Sequence, residues 1–380
     1  MIKIFESDFD VCEEAAVQNV IKSGWLTNGP TTIEFEEAIE KTLLKDQCKS
    51  VAVSSATAAL HLALIASNIG PGDEVIVPAL NFVSDYNVVK AVGAQPILCD
   101  VDSEENWTPN LKNIKDVISK KTKCCFIVHF AGIPCKDIFK IRDFCASKDI
   151  VLIEDVAHAA GASVDGRMCG SIGDFGAFSF YSNKNIATGE GGCISSSKNI
   201  EQLKRLRSHG MSASTLDREK GRIFSYDVLE YGLNYRIDEI RSAIGIEQLK
   251  KFAIKHKKRR ELVLMYLEFL PKNIVTPFSL ALESKNLVSV DHIMPILIPD
   301  FEKKEELIEE FKKNKIQTTM HYPAPWSFTA YHDEFGSINE YPVCEEIVKR
   351  ELTLPLHTKM NKSDVIKVCK VLDNFLTKNS

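Results

Sequence analysis

Residues Gly173 to Gly192 read GDFGAFSFYSNKNIATGEGG. Phe175, Ala177 and Phe178 through Tyr181 form a short apolar and aromatic run, the pattern of a buried strand. Gly189, Gly191 and Gly192 break any regular element, and Cys193, Ile194 and Ser195 open the next strand. Lys184 lies between them. A lysine at the end of a buried strand must strip water from its ammonium, and full desolvation lowers a lysine pKa by about 3–5 units. The resulting neutral amine can attack a carbonyl. Taken alone, Lys184 also reads as an ordinary surface lysine in a loop.

Upstream, Val151 to Asp155 (VLIED) is a buried-strand run that ends in two carboxylates. In an open α/β sheet, ligands sit outside the carboxyl ends of the strands, so Asp155 is placed at a ligand face. Pyridoxal phosphate needs a lysine for its aldehyde and an acid for its ring nitrogen. At about 3 Å and an effective dielectric near 20, that ion pair gains roughly 5 kcal/mol before desolvation. A third segment, Val51 to Leu60 (VAVSSATAAL), is a strand followed by a helix starting near Thr57. Free N–H groups at a helix N-terminus, with small hydroxyl side chains, make a phosphate site. A Ser-Ala-Thr turn alone is more often a plain helix cap. Ser179, five residues before Lys184, offers another hydroxyl.

Around these segments, strands and helices alternate. Strands are expected near 50–54, 74–78, 96–101, 123–129, 150–154, 175–181 and 192–196. Helices are expected near 11–23, 32–44, 57–68, 84–92, 111–119, 137–147 and 199–209. This alternation predicts an α/β fold with a mostly parallel sheet flanked by helices. After residue 255 the pattern changes: a strand at 288–297, helices at 302–313, 341–351 and 362–377, and a strand near 316–320. Residues 1–255 therefore read as a large cofactor-binding domain and 256–380 as a smaller α+β domain. The polar stretch after Gly210 reads as a mobile surface loop.

The 380 residues are 44% apolar and 26% charged, with a formal charge of −5, ordinary globular values that give no support to a nucleic-acid partner. The basic run Lys255 to Arg260 lacks interleaved aromatics and reads as a solvated helix face. The eleven cysteines show no CxxC and no zinc spacing, so buried free thiols and no metal are expected. The start, MIKIFESDFD, has no apolar signal region, and no run approaches membrane-spanning length, which together predict a cytoplasmic protein.

Several longer stretches carry a resemblance. SGWLTNGP, SSATAALHLAL, GPGDEVIVPALNFV, VHFAG, IEDVAHAAGA, GDFGAFSFYSNKN, GEGG, GLNYRIDEI and ELTLPLH occur in order along essentially the whole chain. The chain resembles the sugar aminotransferases of the DegT/DnrJ/StrS family, a branch of the fold-type I pyridoxal-phosphate enzymes. The resemblance implies transfer of an amino group from L-glutamate to a nucleotide-linked keto sugar, by a homodimer with shared active sites. It implies that Lys184 carries pyridoxal 5′-phosphate and shuttles protons while Asp155 holds the ring nitrogen. It places His158 near the cofactor, on the ring hydroxyl or on Asp155, and Phe82 on the ring face, though a phenylalanine is more commonly core. Ser179, Ala56 and Thr57 would hold the phosphate, Ala56 standing where many relatives have glycine. Asn234 would reach the phosphate in the partner subunit, with Arg236 ordering its turn. Thr27, Asn28, Tyr181 and His321 would contact substrate. His129, which ends a strand, reads equally as a satisfied core histidine.

Three alternatives come from other readings of the chain. A sugar dehydratase on this scaffold replaces the lysine with histidine, whereas this chain keeps Lys184. A non-catalytic binding or regulatory dimer has no need for Asp155, Ser179 and Lys184 together. A Rossmann dehydrogenase needs a G-x-G-x-x-G opening a βα unit, and none is present.

Overall fold

Seven strands build the central sheet of the computed structural model, which describes residues 1–213, 221, 224–335 and 340–378. They are β1 (Lys49–Val53), β2 (Glu74–Pro78), β3 (Gln95–Cys99), β4 (Thr122–Val128) and β5 (Val151–Asp155), then β8 (Phe175–Ser179) and β9 (Gly192–Ser196). Two short strands, β6 (Ser163–Val164) and β7 (Arg167–Met168), lie between β5 and β8. The sheet order is β1-β9-β8-β5-β4-β2-β3. Six strands run parallel, and β9 is inserted antiparallel to both β1 and β8.

A parallel sheet is covered on both faces, so its strands are apolar throughout rather than alternating. The adjacent thiols of β4 show this directly. Side chains alternate along a strand: Cys124 and Phe126 join Val75, Val77 and Ile153 in one core, while Cys125 and Ile127 join Ile76, Leu152, Ile138 and Ile141 in another. All eleven cysteines are free, and only Cys12 is exposed.

Glu154 on β5 pins the turn that leads into β8. It is fully buried, and its Oε1 accepts the N–H groups of Ile172 and Gly173, each at 2.7 Å. Its Oε2 accepts from Gly170 N and His129 Nε2, each at 2.9 Å. His129 Nδ1 accepts from Cys135 N at 3.0 Å, so Nε2 carries the proton. His129 is therefore a satisfied core histidine. Cys169 lies close by, but the Glu154 oxygens are already occupied by four donors. Replacing Glu154 by alanine strands those donors in the core, and urea unfolding should show a loss of at least about 3 kcal/mol.

β8 ends at Ser179, two residues short of the expected strand. Phe180 N turns back to Gly191 O at 2.8 Å, and Lys184 N closes a turn on Tyr181 O at 2.9 Å. Lys184 thus sits in a turn beyond the strand rather than at its last position.

In the C-terminal part the expected strand at 288–297 is two pieces. Leu287–Val288 pairs with β6, and Met294–Leu297 pairs antiparallel with Glu351–Leu354. The strand expected at 316–320 is reduced to single bridges, Ile2 to Ile316 and Thr319 to Thr353. Helices Lys304–Lys313, Pro342–Arg350 and Lys362–Lys378 complete this part, while helix Phe252–Phe269 runs through residue 255. Of the loop expected after Gly210, residues 214–220 and 222–223 lie outside the described residues.

Candidate active site

A cavity of about 350 Å³ opens at the carboxyl ends of the parallel strands, the place this topology reserves for ligands. Nine of the residues singled out from sequence line it: Ala56, Thr57, Phe82, Asp155, His158, Ser179, Tyr181, Lys184 and His321. They come from segments up to 265 residues apart, His321 being the last and Ala56 the first. Thr27, Asn28 and Asn234 are not in this lining. Thr27 and Asn234 are exposed and Asn28 is half-buried.

Lys184 faces Asp155 across the cavity. Burial lowers its ammonium to about 8, against the pull of Asp155. A substantial share of the nitrogen is then neutral near physiological pH, as a nucleophile requires.

Asp155 is buried, and its Oδ1 accepts Ala157 N at 2.7 Å. Burial raises its carboxyl, opposed by the Ala157 N–H, by the charge of Lys184, and by a hydrogen bond from Asp85. Asp85 is fully buried behind it, and burial together with the charge of Asp155 raises that group far more. The proton of the pair therefore stays on Asp85, and Asp155 is the anion. Asn81 Nδ2 donates to Asp85 Oδ2 at 2.6 Å and Ser84 Oγ to Oδ1 at 3.0 Å. The sequence places Asp85 in the first turn of helix Ser84–Ala91, where an acid reads as complementing the helix dipole. Only the fold turns it toward Asp155.

The helix Ala56–Ala66 points its N-terminus at the cavity. Ser55 caps it by accepting Ala58 N at 3.1 Å, which leaves the N–H groups of Ala56 and Thr57 as first-turn donors. Gly192 permits the close approach of β9 to this turn. A Cβ on Gly192 would stand 2.5 Å from Ser55 C and 2.7 Å from Ala56 N.

His158 is buried, and burial together with Lys184 and His321 holds its imidazole neutral. Its Nδ1 accepts from Ala131 N at 3.3 Å, so Nε2 carries the proton and donates to Tyr322 Oη at 2.8 Å. Both nitrogens are thus engaged by the protein. The group left to face the cavity is the hydroxyl of Tyr322, the residue that follows His321 in sequence. Phe82 is 51% exposed and packs its ring 5.3 Å from that of Tyr322, so it is a wall of the cavity and not a core aromatic. Tyr181 is likewise 45% exposed at the rim.

These residues fit a phosphorylated pyridine aldehyde. Lys184 has a depressed pKa for the carbonyl, Asp155 is an anion held in place for the ring nitrogen, and a capped helix N-terminus with Ser179 nearby suits the phosphate.

Comparison with known proteins gives a consistent answer. The DegT/DnrJ/EryC1/StrS aminotransferase family matches residues 8–373. The uncharacterised protein MJ1066 of Methanocaldococcus jannaschii is 36% identical over 375 residues, covering 96% of this chain and 94% of that protein. The Streptococcus pneumoniae protein Spr1654 in its PLP form superposes with a TM-score of 0.87 at 29% identity, over 98% of each chain. Helicobacter pylori PseC, an aminotransferase involved in the biosynthesis of pseudoaminic acid, superposes with a TM-score of 0.89 at 27% identity, over 99% of each chain. The chain has the fold-type I architecture, uses pyridoxal 5′-phosphate, and belongs to the DegT/DnrJ/EryC1/StrS aminotransferase family.

Proposed function

We propose that this protein moves an amino group from L-glutamate to a nucleotide-linked keto sugar. The observation that carries the reading is the meeting of Lys184 and Asp155 in one cavity with the N-terminus of helix Ala56–Ala66. When bound, the cofactor supplies a carbonyl that takes up and releases the amine, and an electron-poor ring. Lys184 Nζ, neutral in about half the molecules near pH 8, takes a proton from the carbon bearing the amine and returns it on the other side. Asp155 keeps its negative charge opposite the ring nitrogen because Asp85 retains the proton of the pair. Ser179, Thr57 and the N–H of Ala56 would hold the phosphate, and Phe82 would lie against the ring.

A sugar is the acceptor that the rim and the relatives favour. Phe82, Tyr181, His321 and Tyr322 combine ring faces with polar edges around the opening, a lining suited to a polyhydroxylated ring. Spr1654, described as a putative sugar aminotransferase, shares the fold over nearly its whole length. Thr27 and Asn28 are proposed as substrate contacts. A homodimer would bring Asn234 of one protomer to the other's phosphate. The exposed apolar side chains of Phe224, Tyr231 and Leu233 beside Asn234 support burial against a second copy. The division into a cofactor-binding part, 1–255, and a smaller part, 256–380, belongs to the same proposal, as does a cytoplasmic location. Among the described residues no helix is long and apolar enough to cross a membrane.

The test is a panel of nucleotide-linked keto sugars offered to the purified enzyme with glutamate. One of them should be aminated, with 2-oxoglutarate released in equal amount. If glutamate amination proceeds on simple keto acids and on none of the sugars, the substrate reading is wrong.

A further inference from the structure

On the wall of the cavity, His321 stands at the end of a buried chain of hydrogen bonds. Its Nδ1 lies 2.8 Å from Thr353 Oγ1, and Thr353 Oγ1 lies 2.5 Å from Glu351 Oε1. The backbone N–H of His321 donates to the other carboxyl oxygen, Glu351 Oε2, at 3.0 Å, which fixes the carboxyl relative to the ring. Glu351 and Thr353 are two apart on one strand, hence on one face, and both are buried to within 1%. His321 lines the cavity, and among the described residues Nε2 has no protein hydrogen bond.

We propose that Glu351, Thr353 and His321 form a proton relay through which a neutral imidazole exchanges a proton with a substrate oxygen, the charge being carried by Glu351. In the resting form the Glu351 carboxyl donates to Thr353 Oγ1, the Thr353 hydroxyl donates to His321 Nδ1, and Nε2–H faces the cavity. When Nε2 gives up its proton, the threonine proton passes to Nδ1 and the glutamic acid proton passes to Oγ1. One N–H bond breaks at Nε2 and one forms at Nδ1, one O–H bond at Thr353 is exchanged, and the O–H of Glu351 is lost. The negative charge ends on Glu351, and the reverse sequence accepts a proton.

Electrostatics favours this over an imidazolium. Burial and the charge of Lys184 hold His321 down at about 3, so it does not titrate as a cation. Burial lifts Glu351 to about 8, offset by Thr353, the His321 N–H and the charge of Lys304. It therefore holds its proton at neutral pH and releases it just above. The charged or titratable groups facing the relay are Lys304 from helix Lys304–Lys313 toward the carboxyl, Tyr322, whose phenol burial keeps un-ionised, beside both, and Lys184, His158 and His292 toward the ring. His158 and His292 are held neutral by burial, so Lys184 and Lys304 are the cations that bias it. The sign follows: His321 presents a donor to the cavity below about pH 8 and an acceptor above it.

The role toward substrate rests on the proposed function, but the relay is read out without turnover. In the holoenzyme with ¹⁵N-labelled histidine, and the His321 signal assigned by loss in His321→Gln, the proton should sit on Nε2 below pH 8 and on Nδ1 above it. Glu351→Gln, whose carbonyl oxygen accepts the His321 backbone N–H and whose amide N–H then donates to Thr353, should keep the proton on Nε2 at both. Thr353→Val should abolish the switch and Thr353→Ser should retain it. With an accepted sugar, Glu351→Gln should lower kcat by about 10²-fold, with Thr353→Ser close to wild type. A single tautomer throughout the wild-type titration, or a switch that survives in Glu351→Gln or Thr353→Val, overturns the relay. Failure of every sugar while the tautomer still switches counts against the substrate reading instead.

Discussion

Replacing Lys184 by alanine should lower turnover by at least about 10³-fold, because it removes both the amine that bonds the cofactor carbonyl and the group that moves the proton. The variant should fold normally, since among the described residues Lys184 makes no side-chain hydrogen bond that holds a neighbouring element, and it should still bind the cofactor through the phosphate and Asp155. Borohydride reduction should fix the cofactor to the peptide bearing Lys184 in the wild type and to no peptide in the variant. The pH dependence follows from the lowered pKa. The reactive species is the neutral amine, so capture of cofactor by the apoprotein should quicken as pH rises toward about 8 and level off above it. An unperturbed lysine would keep gaining rate for two further units, toward its ordinary value of 10.5. Attachment at a different peptide, or normal turnover of Lys184→Ala, would reject the assignment.

Replacing Asp155 by alanine is the second large effect. The pairing of an anion with the ring nitrogen gains roughly 5 kcal/mol at an effective dielectric near 20, part of it offset by the cost of burying both charges. If about 3–4 kcal/mol survives, kcat should fall by about 10²–10³-fold, each 1.36 kcal/mol being a factor of ten. The cofactor absorbance measured in parallel shows whether the site is filled. A filled site with wild-type kcat would remove Asp155 from the chemistry. Asp85 provides an internal control. Asp85→Asn keeps an N–H to donate to Asp155 and should cost little, whereas Asp85→Leu leaves Asn81, Ser84 and Asp155 without their partner and should approach the Asp155→Ala loss.

Much of this was legible from residue order. Strand runs and the breakers between them are local signals, so the seven-stranded sheet and its covering helices could be read from apolar patterning and Gly-Pro turns. Lys184, Asp155 and the Ser55–Thr57 turn could be found for the same reason. Each lies at or beyond the carboxyl end of an apolar strand, and in parallel sheets that end is the ligand face. The errors were local as well. The segment at 288–297 has strand-like residues, but pairing with β6 at one end and with Glu351–Leu354 at the other splits it. Strand identity there is decided by the partner, not by propensity.

What the amino-acid order determined by itself was the fold class, the cofactor and the candidate reacting groups, because those depend on patterns within a few residues. What only the tertiary structure decided was which polar groups share protons. Asp85 looks like a helix-start acid and Glu351 like the end of a charged helix, and nothing near either in sequence marks it as buried. Folding removes both from water and sets one behind Asp155 and the other behind His321. A carboxyl that has lost its water takes its protonation from whatever side chain the fold brings against it, and that neighbour is many residues away along the chain.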